Sequence, residues 1–289
     1  MTASALRLPT LPRLVIDRAV EAALLEDWGR AGDITTEATI PADATARAVF
    51  AARTAGVVSG LALAESAFRQ TDPAIRFRAL KADGDRLAPG DVIAEVKGPA
   101  RPVLAAERIG LNYMGRMSGI ATATAAFVEK TTGTKAHIVC TRKTTPGLRV
   151  FEKYAVRCGG GMNHRFGLDD AVLIKDNHIA VVGSVGETIR RARAFVGHLV
   201  KVEVEVDTLA QLAEALEAKP DVVLLDNMGP DMLKDAVTLT AGRALLEASG
   251  GVTLATVRAI AESGVDLIST GWITHSAPVL DIGLDVTVD

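Results

Sequence analysis

The sequence is poor in cysteine and in aromatic residues, and it has no excess of positive charge. Its 289 residues include two cysteines, Cys140 and Cys158, too few for a disulfide framework or a zinc-binding cluster. We therefore expect free thiols in a reducing cytoplasm. Aromatic residues make up 4% of the chain and the net charge is −3, whereas nucleic-acid-binding proteins typically present basic and base-stacking surfaces. The composition thus argues against DNA or RNA as a partner.

Long apolar runs are also absent. No stretch approaches the ~20 apolar residues that a membrane span needs, and residues 1–14 lack the apolar segment of a signal peptide. These absences predict a soluble, cytoplasmic protein without a membrane partner. An apolar content of 48% over this length is enough for a substantial core, in one large domain or two ordinary ones.

The chain changes character near residue 135. Before that point, helical patterns at about 12–28, 61–70 and 103–131 are mixed with short β-like segments, which indicates an α+β arrangement. After it, short apolar runs alternate with helical patterns, which indicates parallel βα units. The runs lie at 136–140, 171–174, 199–206, 222–225, 244–248 and 265–269, and the helical patterns at about 148–158, 184–196, 208–218, 230–240 and 253–263.

The βα units favour a barrel over a dinucleotide-binding fold. No Gly-x-Gly-x-x-Gly motif follows an early strand, so the second fold is disfavoured. A further short strand at 161–165 would bring the number of strands to seven, one fewer than in a closed (β/α) barrel. The sequence therefore predicts an α/β protein with an open (β/α) barrel of about seven strands after an N-terminal region.

Polar residues follow the predicted barrel strands, at the end where parallel α/β folds bind ligands. Seven lysines and arginines lie between residues 142 and 175, and nine acids lie between 203 and 235. A basic half of the barrel mouth suits an anionic ligand, and an acidic half suits a divalent cation such as Mg²⁺. Together they indicate a Mg²⁺–polyphosphate substrate beside a second anion. A set of surface ion pairs is the alternative.

Two smaller patterns point the same way. Glu203, Glu205 and Asp207 alternate at a period of two, so they share one strand face, where a metal or cationic partner would offset their repulsion. Glycine turns at 249–251 and 270–271 follow predicted strands, and a glycine turn that opens a helix presents backbone N–H groups to phosphate. The helix after the first turn is expected to begin at Val252 and Thr253.

Two sequence blocks are highly specific: TRKTTPGLR at 141–149 and KDNHI at 175–179. Further matching blocks are EDWGRAGDITTEATIPADATARAVFAAR at 26–53, ERIGLNYMGRMSGIAT at 107–122, LLDNM at 224–228, LEASGGV at 246–252 and THSAPVLDIGLD at 274–285. On these motifs the chain resembles the quinolinate phosphoribosyltransferase family almost from end to end.

The resemblance implies an architecture and an activity. It implies an open-faced α/β domain at 1–115, an open barrel with the active site at 116–275, and a segment at 276–289 that packs back on the N-terminal domain. It implies a homodimer with shared active sites, or a higher oligomer, in which one subunit's N-terminal domain caps the partner's barrel. The implied enzyme is a pentosyltransferase of NAD biosynthesis that uses Mg²⁺. It transfers the phosphoribosyl group of phosphoribosyl pyrophosphate (PRPP) to quinolinate, giving nicotinate mononucleotide, pyrophosphate and CO₂.

The resemblance also assigns roles to residues. Lys143, Glu205 and Asp226 are the implied catalytic residues, and the two acids are implied to hold Mg²⁺ directly, through water or through substrate. The resemblance leaves open whether Glu203 or His275 contributes. The implied substrate-binding residues are Arg108 of the other subunit together with Thr141, Arg142, Lys143, His164, Arg165, Lys175, Glu205, Asp226, Ser249, Gly250, Gly251 and Gly271.

Two other readings of the sequence compete with this one. A paralogue of the same fold, associated with molybdate transport, would share the barrel, but the intact set of Arg108, Arg142, Arg165 and Lys175 favours quinolinate. The segment KADGDRLAPGDVIAEV at 81–96 resembles part of a lipoyl or biotinyl carrier domain. A carrier needs a modifiable lysine at a hairpin tip, and Lys81 lies at the wrong end of the motif.

Overall fold

The computed structural model describes residues 8–288, and in that part of the chain eleven helices and twelve strands are found. The helices are α1 (Arg13–Trp28), α2 (Ile34–Thr39), α3 (Leu61–Thr71), α4 (Ala100–Lys130), α5 (Arg149–Cys158), α6 (Asp176–Val182), α7 (Val185–Phe195), α8 (Leu209–Glu217), α9 (Pro230–Thr240), α10 (Val257–Glu262) and α11 (Trp272–His275). The strands are β1 (Thr45–Ala52), β2 (Gly56–Val57), β3 (Arg76–Ala79), β4 (Arg86–Leu87), β5 (Val92–Pro99), β6 (His137–Val139), β7 (Val172–Ile174), β8 (Val202–Val206), β9 (Val222–Asp226), β10 (Leu245–Ser249), β11 (Leu267–Ser269) and β12 (Ile282–Val288).

The chain forms two compact units. The first contains 8–123, 151–160 and 277–288 of the described residues, and the second contains 124–150 and 161–276. The division falls within α4, beyond the boundary predicted at 115/116, and α5 groups with the first unit. The domain bounds 1–115, 116–275 and 276–289 therefore stay a prediction.

The first unit is built on an antiparallel sheet with the strand order β12-β1-β5-β3. Alternate residues of β1 are buried, so one face of the sheet packs on α3 and α4. Phe50 of β1 and Phe68 of α3 pack edge to face in this core, with ring centroids 5.8 Å apart. The C-terminal strand pairs with β1 from Ala52–Ile282 to Ala46–Val288. Residues 282–288 thus complete the N-terminal sheet.

Helix α4 packs closely against the segment that leads into β12. The backbone of residues 278–280 passes over Gly115 and Gly119, and a Cβ on Gly119 would overlap the carbonyl oxygen of Pro278. The Gly115 carbonyl also accepts a hydrogen bond of 3.0 Å from Leu280 N. The two glycines therefore bring this segment into contact with the helix backbone.

The second unit is a parallel α/β barrel with one side open. Its sheet has the strand order β6-β11-β10-β9-β8-β7, and Met162 adds one parallel bridge to Val139 on the other edge of β6. Strands β7 to β11 therefore lie round the barrel in chain order, and the first barrel strand, β6, lies next to β11. In residues 8–288 no ladder joins the Met162 segment to β7. The expected strand at 161–165 is reduced to that one bridge.

Four helices differ from the sequence expectation. The helix expected to start at Val252 and Thr253 begins at Val257, because Thr253 and Thr256 exchange backbone and side-chain hydrogen bonds in a turn. The short helices α2, α6 and α11 were not expected. None of the helices described between residues 8 and 288 is both long and apolar enough to cross a bilayer.

Candidate active site

A cavity of about 670 Å³ opens at the carboxyl ends of the barrel strands. The loops that follow β6, β7, β9, β10 and β11 all contribute to its wall, as a parallel sheet dictates. Twelve of the thirteen predicted substrate-binding residues line it: Thr141, Arg142, Lys143, His164, Arg165, Lys175, Glu205, Asp226, Ser249, Gly250, Gly251 and Gly271. The carboxyl ends of the parallel strands thus bring together residues that are up to 130 positions apart in sequence, as the sequence analysis expected.

One wall of the cavity is basic. Arg142 and Arg165 lie so near each other that burial and the charge of Arg142 lower the pKa of Arg165, while Glu203 opposes that shift. The Nε atoms of both arginines are buried without a hydrogen-bond partner in the described residues. Like charges held this close are unfavourable unless an anion lies between them. This wall is therefore suited to an anionic ligand.

Lys175 connects the basic wall to the acidic one. Its Nζ lies 2.9 Å from Glu205 Oε2, and its backbone N–H donates to Nδ1 of His178 at 2.9 Å. His178 thus fixes the backbone from which Lys175 extends. The predicted basic and acidic halves of the barrel mouth meet at this ion pair.

The acidic wall carries Glu205 and Asp226 on neighbouring strands. Burial raises the pKa of Asp226, the charges of Glu205 and Asp207 raise it further, and Lys175 and Lys143 act against them. A carboxylate that is desolvated beside another carboxylate gains from a bound cation. These two side chains are hard oxygen donors of the kind that Mg²⁺ prefers.

Beneath the basic wall lies a group of buried acids. Glu203 of β8 and Glu247 of β10 are 6% and 2% exposed. Nε2 of His164 lies 2.7 Å from Glu203 Oε2 and 3.9 Å from Glu247 Oε1. Burial, with the nearby charge of Glu203, raises the pKa of Glu247 to about 7, and His164 acts against this shift. We call Glu203, Glu247 and His164 the cavity floor.

Among residues 8–288, the cavity floor is the one group of three or more histidine, cysteine and acidic side chains whose ligand atoms all lie within 4.8 Å of one another, as a shared metal ion would require. The 2.7 Å distance between His164 Nε2 and Glu203 Oε2 is that of a direct hydrogen bond, so these two side chains of the floor are bonded to each other.

Two glycine loops form the remaining rim. Gly250 and Gly251 have φ of 88° and 60°, a region that favours glycine. A Cβ on Gly250 would overlap Oδ1 of Asn227, whose Nδ2 donates to Asp226 Oδ2 at 2.6 Å. Gly271 lies against the side chain of Lys143, and Thr274 Oγ1 donates to the Lys143 carbonyl at 2.7 Å. Each loop thus holds a residue of the predicted catalytic set in place.

Arg108 is the one predicted binding residue that lies in the first unit. It is an exposed residue of α4, and nothing among residues 8–288 forms a hydrogen bond or ion pair with its guanidinium. Its predicted role in the other subunit's site stays a prediction. His275, which the sequence left open, lines the cavity, with Nδ1 2.6 Å from Ser276 Oγ.

Sequence reasoning missed Glu247, and it placed Asn227 at a strand end without assigning it to the site. Both line the cavity. Glu247 is a single carboxylate within the apolar run 244–248, and a lone charge in a buried strand is the signal that could have identified it. Asn227 directly follows Asp226 and adopts a φ of 55°, which the sequence does not reveal.

Comparison with known proteins agrees with this geometry. The family model "Quinolinate phosphoribosyl transferase, N-terminal domain" matches residues 33–118, and the corresponding C-terminal domain matches 120–285. The chain belongs to the quinolinate phosphoribosyltransferase family. The sequence-based prediction of the family is therefore confirmed.

Individual relatives cover nearly the whole chain. A probable nicotinate-nucleotide pyrophosphorylase [carboxylating] of Bacillus subtilis is 46% identical over 91% of this chain and 91% of its own length. The nicotinate-nucleotide pyrophosphorylase [carboxylating] of Mycobacterium leprae is 45% identical over 92% and 95%. The crystal structure of NadC from Streptococcus pyogenes superposes with a TM-score of 0.94 at 42% identity, covering 97% of this chain and 99% of that one. The predicted N-terminal α/β domain and open C-terminal barrel are confirmed.

Proposed function

We propose that this chain transfers the phosphoribosyl group of PRPP to quinolinate with loss of CO₂, giving nicotinate mononucleotide and pyrophosphate in NAD biosynthesis. The observation that carries the proposal is the single cavity that combines a basic wall, an acidic wall and two glycine loops. Quinolinate is a dianion, and PRPP is a sugar with phosphates at both ends. The family name supports quinolinate as the acceptor of a phosphoribosyl group, and we propose PRPP as the donor.

The basic wall suits quinolinate. Planar guanidinium groups bind carboxylates through two parallel hydrogen bonds, and Arg142 and Arg165 offer two such groups in one wall. His164 and Lys175 add two further nitrogen donors. Thr141 lies beside them at the end of β6. A ligand with two adjacent carboxylates would relieve the repulsion between the cations.

The acidic wall suits the ribose. When the pyridine nitrogen displaces pyrophosphate, the anomeric carbon takes on the positive charge of an oxocarbenium ion. Glu205 and Asp226 are placed to stabilise that charge and to bind ribose hydroxyls. The loops at 249–251 and 271 would hold the 5′-phosphate through backbone N–H groups. Lys143 would lie between the sugar and the phosphate.

Loss of CO₂ needs no further cofactor. Ribosylation makes the ring nitrogen a positively charged pyridinium nitrogen. The bond from C2 to its carboxylate then breaks, its electron pair stays on C2 next to that nitrogen, and C2 takes up a proton. Every atom of the leaving carboxylate departs as CO₂. The role of the protein in this step is to hold the ring in place.

We also propose Mg²⁺ as the cofactor, held by Glu205 and Asp226 directly, through water or through substrate. Two desolvated carboxylates on neighbouring strands are a donor set that fits this ion. When bound, it would neutralise charge on the leaving pyrophosphate. Tests of this assignment must allow for the ion pair of Glu205 with Lys175, which links the metal set to the quinolinate wall.

We further propose a cytoplasmic homodimer, or a higher oligomer, in which Arg108 completes the quinolinate pocket of the other subunit. An exposed arginine on an otherwise largely apolar helix supports this arrangement. A symmetric dimer can supply such a residue reciprocally to both sites. The two buried free cysteines fit a reducing compartment.

An assay of the two products tests the function. Quinolinate, PRPP and Mg²⁺ should give nicotinate mononucleotide and CO₂, and nicotinate should react at least ~30-fold less efficiently, because it leaves a cation of the basic wall without its partner. Losing one member of a buried charge pair costs about 2–5 kcal/mol, at about 1.4 kcal/mol per tenfold change. Lys175→Ala should be nearly inactive, and Lys97→Ala, at an exposed position of β5, should keep its activity. Equal turnover of quinolinate and nicotinate would contradict the proposal.

Removal of the metal tests the cofactor. EDTA should abolish turnover and added Mg²⁺ should restore it. Asp226→Ala should impair the use of PRPP far more than the equilibrium binding of quinolinate alone, measured by calorimetry. Glu205→Ala should weaken both, because Lys175 loses its partner. Full activity in EDTA would show that the metal assignment is wrong.

A further inference from the structure

The motif TRKTTPGLR at 141–149 ends on an arginine that the proposed function does not use. Arg149 is the first residue of α5 and does not line the cavity, whereas Arg142 of the same motif does. Its guanidinium makes two hydrogen bonds to neutral groups: Nε donates to Thr144 Oγ1 at 3.0 Å, and Nη1 donates to the Phe166 carbonyl at 2.9 Å. Arg149 therefore joins two separate loops.

Each of these loops carries one guanidinium of the basic wall: Arg142 in the loop after β6, which we call the first loop, and Arg165 in the loop before β7, the second loop. The Arg142 carbonyl accepts from Thr144 N at 3.0 Å and from Thr144 Oγ1 at 3.4 Å. The Thr144 hydroxyl thus accepts from Arg149 and donates to the backbone of the first loop. Phe166 directly follows Arg165. Arg149 therefore links the backbone beside Arg142 to the backbone beside Arg165.

The second loop has hydrogen bonds of its own. Asp170 Oδ2 accepts from Phe166 N at 2.7 Å, and Arg165 Nη1 donates to the Ala171 carbonyl at 3.0 Å. Because these bonds join residues of the same loop, they fix its shape. The two bonds of Arg149 fix where this loop lies relative to the first loop.

The shape of the Arg149 side chain, rather than its charge, accounts for both of its bonds. The donors of a guanidinium lie in one rigid plane, so two bonds in fixed directions set the separation of the two acceptors. A lysine carries the same charge on a single nitrogen at the end of a flexible stem. The two acceptors are a hydroxyl and a carbonyl, which carry no charge. A lysine in place of Arg149 would keep the charge and lose the fixed spacing.

We propose that Arg149 is a positioning residue that sets the spacing of Arg142 and Arg165, and through it the preference of the basic wall for two adjacent carboxylates. This inference rests on the proposed function for the identity of the ligand. Two guanidinium groups at a fixed separation favour carboxylates on neighbouring ring atoms over carboxylates that lie further apart. Lys143 should be affected less, because its carbonyl is held separately by Thr274 Oγ1 at 2.7 Å.

Hydrogen exchange tests the contact between the loops without a ligand. The full-length wild-type protein is compared with Arg149→Lys by mass spectrometry. Backbone amides of residues 142–145 and 165–169 should exchange at least about threefold faster in the variant. Arg243→Lys is the matched control, because Arg243 also donates to two backbone carbonyls and does not line the cavity. Equal exchange in Arg149→Lys and in the wild-type protein would overturn the inference.

Equilibrium binding of dicarboxylates tests the spacing of the wall. Calorimetry compares phthalate, whose carboxylates lie on neighbouring ring atoms as in quinolinate, with isophthalate, whose carboxylates lie one ring atom further apart. The wild-type protein should favour phthalate. Arg149→Lys should weaken phthalate binding about 10- to 100-fold, as expected when one charge-assisted hydrogen bond is lost, and should reduce the preference by about fivefold or more. Binding of PRPP, measured alone, should change less than about threefold.

A pair of variants at Thr144 tests the same link from its other end. Thr144→Val removes the acceptor of Arg149 Nε and keeps the size of the side chain, whereas Thr144→Ser keeps a hydroxyl. Thr144→Val should reduce the preference for phthalate, and Thr144→Ser should retain it. Circular dichroism shows which variants fold. If Arg149→Lys does not fold, this pair decides the inference.

The outcomes separate this inference from the proposed function. If the wild-type protein binds neither quinolinate nor phthalate, the proposed function fails, and hydrogen exchange still decides the role of Arg149. If the wild-type protein binds both and Arg149→Lys retains its affinity and preference, Arg149 does not set the spacing. A wild-type protein that binds phthalate and isophthalate equally, or a Thr144→Ser variant as impaired as Thr144→Val, would also overturn the inference.

Discussion

Two positions at the rim of the cavity require glycine because neighbouring side chains occupy the space that a Cβ would need. Gly250 leaves room for the amide of Asn227, which donates to the Asp226 carboxylate. Gly271 leaves room for Lys143: a Cβ there would lie 2.9 Å from Lys143 Cδ and 3.1 Å from His275 Cδ2. Neither contact is encoded locally, because each joins loops of different strands. The positions of the catalytic candidates therefore depend on residues that carry no reactive group.

Gly271→Ala should act on turnover and leave the fold intact. The added methyl group keeps the backbone N–H but pushes Lys143 aside. Because misplacement of a reacting group by about 1 Å can cost 100-fold, we expect kcat to fall about 10- to 100-fold. The free energy of unfolding should change by less than about 1 kcal/mol. Gly197→Ala, where a Cβ meets nothing within 4 Å, is the control, and both variants are compared by steady-state kinetics. Unchanged kcat in Gly271→Ala would contradict this role.

Most predicted strands and helices occur within a few residues of their predicted bounds, and the exceptions have physical causes. Helix α6 was missed because none of its residues is buried, so no apolar periodicity marks it. The strand expected at 161–165 makes one bridge, from Met162 to Val139, and the side chains of Asn163 and His164 that follow contact Cys140 and Glu203. Strand-end reasoning predicted the cavity, since parallel topology alone brings those loops together. It could not predict that Glu203 lies deeper in the barrel than Glu205.

Helix α4 shows where packing overrides helix propensity. Gly115 and Gly119 lie in its interior, although glycine costs about 1 kcal/mol there relative to alanine. The segment from Pro278 to Leu280 crosses the helix at these two positions, and its backbone occupies the space that a Cβ would need. This contact precedes β12, so the path of the chain into the last strand depends on it.

Gly119→Ala should therefore destabilise the protein despite the better helix former. Overlap with the Pro278 carbonyl forces the segment away from the helix, and we expect a loss of about 2 kcal/mol or more in the free energy of unfolding. Asn112→Ala, at an exposed position of the same helix, should change it by less than about 0.5 kcal/mol. Urea denaturation followed by circular dichroism measures both. A Gly119→Ala variant as stable as the unsubstituted protein would show that the segment can move away without cost.

The proposed sharing of active sites between subunits predicts complementation. Arg108→Ala and Lys175→Ala should each be nearly inactive as homodimers. When the two are unfolded and refolded together, a mixed dimer has one site with both defects and one with neither. With random pairing, roughly a quarter of the wild-type activity should return if the sites act independently. Each variant refolded alone is the control. A mixture that stays inactive despite verified subunit exchange would place Arg108 outside the partner's site.

The pairing of β1 with β12 has a consequence for synthesis of the protein. Residues 45–52 leave the ribosome about 230 residues before their partners at 282–288. At a translation rate of about 5–20 residues per second, the backbone N–H and C=O groups along one edge of β1 stay unpaired for roughly 10–50 s. An exposed strand edge is a template for aggregation. The rate of translation through the barrel therefore sets how long a chaperone has to shield the unfinished N-terminal sheet.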